Sequence, residues 1–258
     1  VINAAPLPLV RRLTPVDLPA ALELQEAASA GLPAGFVRSR SDDDLRAYLD
    51  RTLGVAYGIL EGTALTAMAL LRIPSEEHPN SDAGPPFPRV PAREWPRHAG
   101  FLEHAMVLPA ARGRGHQRTL LDARLRHAAL TGMNWICAGV HLDNAVSLAN
   151  LLARGLAIVG IRFDTGYPLL GLLGSLDPLR FTTDPYDRMG VLAGDHAGHR
   201  DALWDGYVGV RLAAGGVVIY ERVLGESNAM PSRGLGHPAI TAARDARDAD
   251  NIAPIESV

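Results

Sequence analysis

Between Pro109 and Leu120 the chain reads Arg112-Gly113-Arg114-Gly115-His116-Gln117, an Arg/Gly run with a strand-like segment before it and a helix-like segment after it. Glycines let backbone N–H groups come close to an anion, and a helix N-terminus adds favourable partial charge. Two guanidinium groups add full positive charge beside such a nest. A diphosphate is the guest this loop suits. Upstream, Glu103 and His104 sit side by side where the chain reads as a strand. Strand alternation puts Glu103, Ala105 and Val107 on one face and His104 on the other. Glu103, on the face that carries Val107, is the candidate general base for deprotonating a nucleophile, acting through water, against the alternative of a carboxylate satisfied at a strand start.

Other chemistry-bearing residues read more simply as structure. His141 ends a strand, and Cys137 lies inside a buried strand pattern. Asp195-His196-Ala197-Gly198-His199 has ligand-like spacing but no fourth ligand, so a polar turn is the better reading and no metal is expected. Phe36, Tyr48 and Trp95 suit either a pocket wall or ordinary packing.

Composition removes several function classes. All 25 basic residues are arginine, so the lysines of Walker A loops, Schiff-base enzymes and kinases are absent. A GC-rich genome accounts for this bias. A net charge of −3 gives no reason to expect a nucleic-acid partner. One cysteine excludes an internal disulfide. The apolar runs are broken by Glu61, Arg72, Arg162 and Asp164, and the start Val1-Ile2-Asn3 has no basic n-region, so a soluble, cytoplasmic protein without membrane contact is expected.

The elements that must position the loop follow from periodicity and caps. Leu9 to Thr14 suits a strand, and Thr14-Pro15-Val16-Asp17 opens a helix running to Ser29. Ser41 and three aspartates open a second helix. Val55–Leu60 and Ala64–Ile73 form a hairpin around Glu61-Gly62-Thr63, and residues 74–100, with seven prolines, form a long irregular insertion. A strand over Phe101–Leu108 leads to the Arg/Gly loop and a helix ending near Gly132. Then come a buried strand over Trp135–Leu142, a helix capped by Asp143 or Asn144, and strands over Ala157–Phe163 and Pro168–Leu176. The pattern weakens after Asp177. A short helix over His199–Trp204, a hairpin pairing Val208–Leu212 with Val217–Tyr220, and a disordered tail over 225–258 are expected. The order implies an α+β fold: one domain with a mixed, mostly antiparallel central sheet flanked by helices, with a C-terminal extension over 177–223.

Val107-Leu108-Pro109, the Arg112–Gln117 loop, Leu120-Leu121, and Val140, Asn144, Ser147 with Gly155-Leu156 together resemble the GCN5-related N-acetyltransferase (GNAT) superfamily. The resemblance covers roughly residues 9–176. It implies an acyl-CoA-dependent N-acyltransferase, most simply an N-acetyltransferase, with acetyl-CoA or another acyl-CoA as co-substrate and a small-molecule or peptide amine as acceptor. It also implies roles. Backbone groups around Val107 would hold the pantetheine arm, and an N–H near Val107–Leu108 would polarise the thioester carbonyl. Arg112, Gly113, Arg114, Gly115, His116 and Gln117 would cradle the pyrophosphate, with Asn144 and Ser147 beside the pantetheine and the thiol. Two positions depart from the family pattern. Gln117 replaces a small residue, and Leu151 stands where many relatives carry a Tyr that protonates the leaving thiolate; Ser147, Tyr167 or water would have to substitute. The open alternatives are a non-catalytic acyl-CoA-binding module, a hydroxyl acceptor or a carrier-protein donor, and a homodimer through the terminal hairpin.

Overall fold

The computed structural model of the chain describes residues 9–33, 35–37, 39–74, 99–162, 169–176 and 183–224. Most of the Pro-rich insertion, Trp95, Tyr167 and the tail from 225 lie outside the described residues.

Local chemistry sets the N-terminal elements. Strand β1 (Leu9–Arg12) stops at Thr14, whose backbone N–H donates to the Asp17 carboxylate at 2.8 Å. Arg11 also donates to that carboxylate through both terminal nitrogens, and these bonds hold the Asp17 pKa down at about 2. A 3-10 turn (Pro15–Asp17) then leads into helix α1 (Leu18–Ser29). Helix α2 (Asp42–Leu49) starts where Ser41 Oγ accepts from the Asp44 N–H at 3.1 Å. Three aspartates in its first turn complement the helix dipole.

The remaining elements are β2 (Gly54–Glu61), β3 (Ala64–Arg72), β4 (Ala99–Val107), α3 (His116–Leu130), β5 (Trp135–His141), α4 (Ala145–Leu152), β6 (Ala157–Arg162), β7 (Leu169–Ser175), β8 (Thr183–Leu192), α5 (His196–Trp204), β9 (Tyr207–Ala213) and β10 (Val217–Val223). They build one ten-stranded sheet in the order β1-β2-β3-β4-β5-β7-β6-β9-β10-β8. Every pairing is antiparallel except β4 with β5. The expected terminal hairpin is β9–β10, and it joins the main sheet where Gly209 pairs with Ile158. Strand β8 escapes the sequence reading because it is a mostly exposed edge strand, with Asp184, Asp187 and Arg188 interrupting any apolar alternation. The helix expected over His199–Trp204 begins earlier, at His196, because Asp195 accepts from the Gly198 N–H and caps it.

Helices α1 and α2 bury Leu24, Leu45 and Tyr48 against Met68, Leu70 and Met106 on one face of the sheet. Helices α3, α4 and α5 cover the other face, where Leu121, Leu125, Leu148 and Leu152 pack on Leu102, Ile136 and Val140.

Strand β4 departs from simple alternation. Ala105 pairs with Ala69, yet Glu103 pairs with the adjacent Leu70, so His104 is an extra residue, held at φ 39°. This is a β-bulge, and it reverses the facing of everything before it relative to everything after it. Glu103 joins Leu70 on the α1/α2 face, while Val107 lies opposite Ala67 and packs toward Leu120 of α3. The expectation that Glu103 and Val107 share a face is therefore corrected.

Arg124 of α3 is buried at the bulge. Its Nη1 donates to Leu70 O at 3.0 Å and to Glu103 O at 3.2 Å, and its Nε to Leu120 O at 3.3 Å. Burial pushes its pKa down to about 9, which leaves it charged at neutral pH. Arg124→Met removes the donor that satisfies two carbonyls at the bulge. A loss of about 2 kcal/mol in urea unfolding is expected, and an unchanged midpoint at the same slope would show that the bulge does not depend on Arg124.

Candidate functional site

Strands β4 and β5 are paired only from Ala99 with Trp135 to Leu102 with Ala138. Beyond that point they diverge, leaving Glu103–Val107 facing Gly139–His141 across a slot in the sheet. Leu108 N–H donates to Thr66 O at 2.9 Å, so it is spent on β3. By alternation the N–H of Val107, and that of Ala105, point the other way, into the slot. Of the two donors expected near the thioester, Val107 remains and Leu108 does not.

The slot runs toward the Arg/Gly loop. Gly113 and Gly115 adopt left-handed backbone, with φ of 79° and 80°. The backbone N–H groups of residues 113–118 find no acceptor among the described residues. A loop of left-handed turns feeding the first turn of a fifteen-residue helix thus presents a run of unspent donors, which is the chemistry of an anion nest.

The side chains around it are more committed than the sequence suggests. Arg112 turns back to bind Val107 O at 3.3 Å and Ala28 O at 3.0 Å, tying the end of β4 to the end of α1. Arg114 donates from Nη1 to both carboxylate oxygens of Glu61, at 3.0 and 2.9 Å, and from Nη2 to Ala110 O at 2.9 Å. His116, buried, meets the same Glu61 at 3.1 Å. The His116 contact first, and then Arg114, lower the Glu61 pKa. Gln117 turns away from the loop: its Nε2 donates to Ser147 Oγ at 3.1 Å, and its Oε1 accepts from Asn150 at 2.8 Å. Gln117 therefore braces α3 against α4 and keeps its side chain off the nest. Asn144 Oδ1 accepts from the Ser147 N–H at 3.1 Å, so Asn144 is the cap of α4 and brings Ser147 to the same face. Leu151 is buried in the core.

On the α1/α2 face the slot has a second set of residues. Glu103 Oε2 accepts from Arg40 Nη2 at 2.5 Å and from Tyr48 OH at 2.6 Å, while Arg72 Nε lies 3.1 Å from Oε1. Burial first, then the Glu103 charge, raises the Tyr48 pKa far above that of a free phenol, so Tyr48 stays a donor. Gly139 is exposed opposite them, and a Cβ built there would meet only Leu169, at 3.8 Å. The far wall carries His141, with Phe36 from the α1–α2 connection tilted against its ring at a centroid distance of 5.0 Å.

Among the expected site residues, the loop, Val107, Asn144 and Ser147 gather on one side, and Glu103 lies across the sheet from Val107. Sequence reasoning missed Glu61, Arg40, Arg72, Arg124 and Asn150. Glu61 was visible only as a hairpin acid, and the others as ordinary helix, strand or loop residues. The contacts that bring them to the site span 21 to 63 positions, a range at which periodicity carries no signal. Cys137 is buried, and burial raises its thiol pKa, as befits a core residue. His199 spans Tyr220 OH at 2.7 Å and Ala193 O at 2.9 Å, which makes it a packing residue of α5. No group of three or more metal-ligating side chains occurs among the described residues.

The segments that the motif resemblance marked are thus a strand end, a loop of left-handed glycines with backbone donors lacking an acceptor among the described residues, and a helix N-terminus. The chain is similar to GNAT-fold N-acetyltransferases. Solved structures that match include the ribosomal-protein-S18-alanine N-acetyltransferase of Escherichia coli, at 15% identity over 66% of this chain and 94% of that one, with a TM-score of 0.48. A ribosomal-protein-alanine N-acetyltransferase of Brucella melitensis matches at 22% identity over 65% and 99%, with a TM-score of 0.48. The PaiA N-acetyltransferase of Thermoplasma acidophilum, solved with coenzyme A, matches at 15% identity over 65% and 98%, with a TM-score of 0.48. No family model matches the sequence, and no curated protein matches it.

Glu61 offers a direct check on the GNAT-like loop as a diphosphate site, because it places a negative charge beside the nest and occupies Arg114. If the loop holds the diphosphate of CoA, Glu61→Gln is expected to tighten CoA binding by roughly threefold at low salt, with the gain shrinking as salt rises. Calorimetry showing unchanged or weaker binding would remove Arg114 from the anion site.

Proposed function

We propose that this chain is an acyl-CoA-dependent N-acyltransferase, moving a short acyl group, most simply acetyl, from a CoA thioester to an amine by direct attack. One observation supports the reading: pairing between β4 and β5 ends at Leu102, the N–H groups of Ala105 and Val107 beyond it point away from β3, and the N–H groups of residues 113–118 have no acceptor among the described residues. An extended arm ending in a diphosphate fits that track, since the slot offers strand-like pairing and the loop offers an anion nest.

The acyl-CoA supplies the activated carbonyl. Val107 N–H is the donor placed to polarise its oxygen. With Leu151 providing no hydroxyl, Ser147 is the group proposed to protonate the leaving sulfur. Its Oγ already accepts from Gln117, so its own hydrogen is left to donate elsewhere. Glu103 is proposed to take the ammonium proton through water at Oε1, because Oε2 is engaged by Arg40 and Tyr48. The bulge aims Glu103 at the face opposite α3 and α4. Donor and acceptor therefore approach the slot from opposite sides, and the amine attacks without passing the cofactor arm.

The clamping of Glu103 by Arg40 and Tyr48, together with Leu151, favours one second reading: a non-catalytic acyl-CoA-binding module. CoA release from acetyl-CoA across an amine panel separates the two. The enzyme reading expects turnover, and expects Glu103→Gln to lower kcat/KM by roughly 100-fold with CoA affinity retained. CoA binding with no release for any amine would support the module instead. Full activity in Glu103→Gln would remove Glu103 as the base.

A further inference from the structure

The α1/α2 face of the slot carries more positive charge than it neutralises. Arg40 and Arg72 converge on a single carboxylate, Glu103, with side chains only 17% exposed and that of Glu103 only 14% exposed. Glu103 is the only ion-pair partner of either arginine among the described residues. The pairing is also incomplete. The Nε atoms of Arg40 and Arg72 are buried and have no hydrogen-bond partner among the described residues; Arg72 Nε is near Oε1, but its N–H is not aimed at it. A surplus guanidinium held mostly out of water with unused donors is costly unless a counter-anion arrives.

The position of this surplus gives it a use. Arg72 pairs with Phe101 across the sheet and stacks on its ring at 5.1 Å. Phe101 and Glu103 flank Leu102, the last β4 residue paired to β5, so Arg72 stands at the closed end of the slot. Arg40 is fixed from behind: Gln25 accepts from its backbone N–H at 2.9 Å and donates to its carbonyl at 3.0 Å. Two anchored guanidiniums and exposed Gly139 thus border the space from which the amine would approach.

We infer that the acceptor is an amine that also bears a carboxylate, held by Arg72 and Arg40 beside the slot. This inference rests on the acyl-transfer reading of the same cleft and names its acceptor class. A planar guanidinium with unused N–H groups matches a carboxylate, while the Glu103 charge beside it disfavours the doubly charged phosphate. The amine of such an acceptor is left to face Glu103 and the thioester.

The test uses the full chain with acetyl-CoA and matched amines: free amino acids, their carboxamides, and phosphoethanolamine. CoA release should favour each acid over its amide by about tenfold or more in kcat/KM, and Arg72→Gln should bring that ratio close to one. Acids and amides turned over equally by the unaltered protein would overturn the inference while leaving acyl transfer intact. So would a preference for phosphoethanolamine over every carboxylated amine. Calorimetry of the amino acids against the CoA-loaded protein separates the two readings if no CoA is released. Acid binding abolished by Arg72→Gln, with the amides not binding, would keep the carboxylate site and sink the transferase. Absence of binding by both acids and amides would sink the inference.

Discussion

One inserted residue organises this cleft. With His104 bulged out of β4, the strand changes which side chains face which helices, and it does so next to the point where β4 parts from β5. Two carbonyls at the bulge, those of Leu70 and Glu103, take a partner from outside the ladder. Arg124 supplies that partner from α3, donating to both. A buried arginine with only carbonyl partners is an expensive device. Its position at the bulge gives the reason for keeping it: the same contact holds the helix that begins at the anion nest against the strand that lines the slot.

The consequence is a two-sided site. On the α3/α4 face, Val107, the nest at residues 113–118, and the Gln117–Ser147–Asn150 bridge form one continuous polar track. On the α1/α2 face, Glu103, Arg40, Tyr48 and Arg72 form a compact charged cluster. The thickness of the sheet separates the two, and the slot connects them. Without the bulge Glu103 would face α3 and add its negative charge to the side where the diphosphate is proposed to bind.

Charge around the nest is also more balanced than a run of arginines suggests. Arg112 is spent on the carbonyls of Val107 and Ala28, and Arg114 on Glu61. In the proposed anion nest, the binding donors are therefore mainly backbone N–H groups. On that reading the left-handed Gly113 and Gly115, with φ near +80°, would shape the nest more than the guanidiniums beside them.

The fold was largely legible from local signals. The Thr14–Asp17 and Ser41 helix starts, the β2–β3 hairpin, the Asn144 cap and the strand–loop–helix around Arg112–Gln117 all depend on residues a few positions apart, where caps, glycines and periodicity act. Strand β8 was not legible, since an exposed edge strand has no buried face to write a pattern. The left-handed turns of the loop, proposed as an anion nest, were legible for the same local reason. What the tertiary structure alone decided is which residues meet across the chain: Glu61 with Arg114 and His116, Gln117 with Ser147, and Glu103 with Arg40, Tyr48 and Arg72. The facing of Glu103 belongs to this second group. Alternation is a rule for an unbroken strand, and a one-residue bulge, set by register against β3 and sustained by Arg124, reverses its outcome without leaving a mark in the residue types.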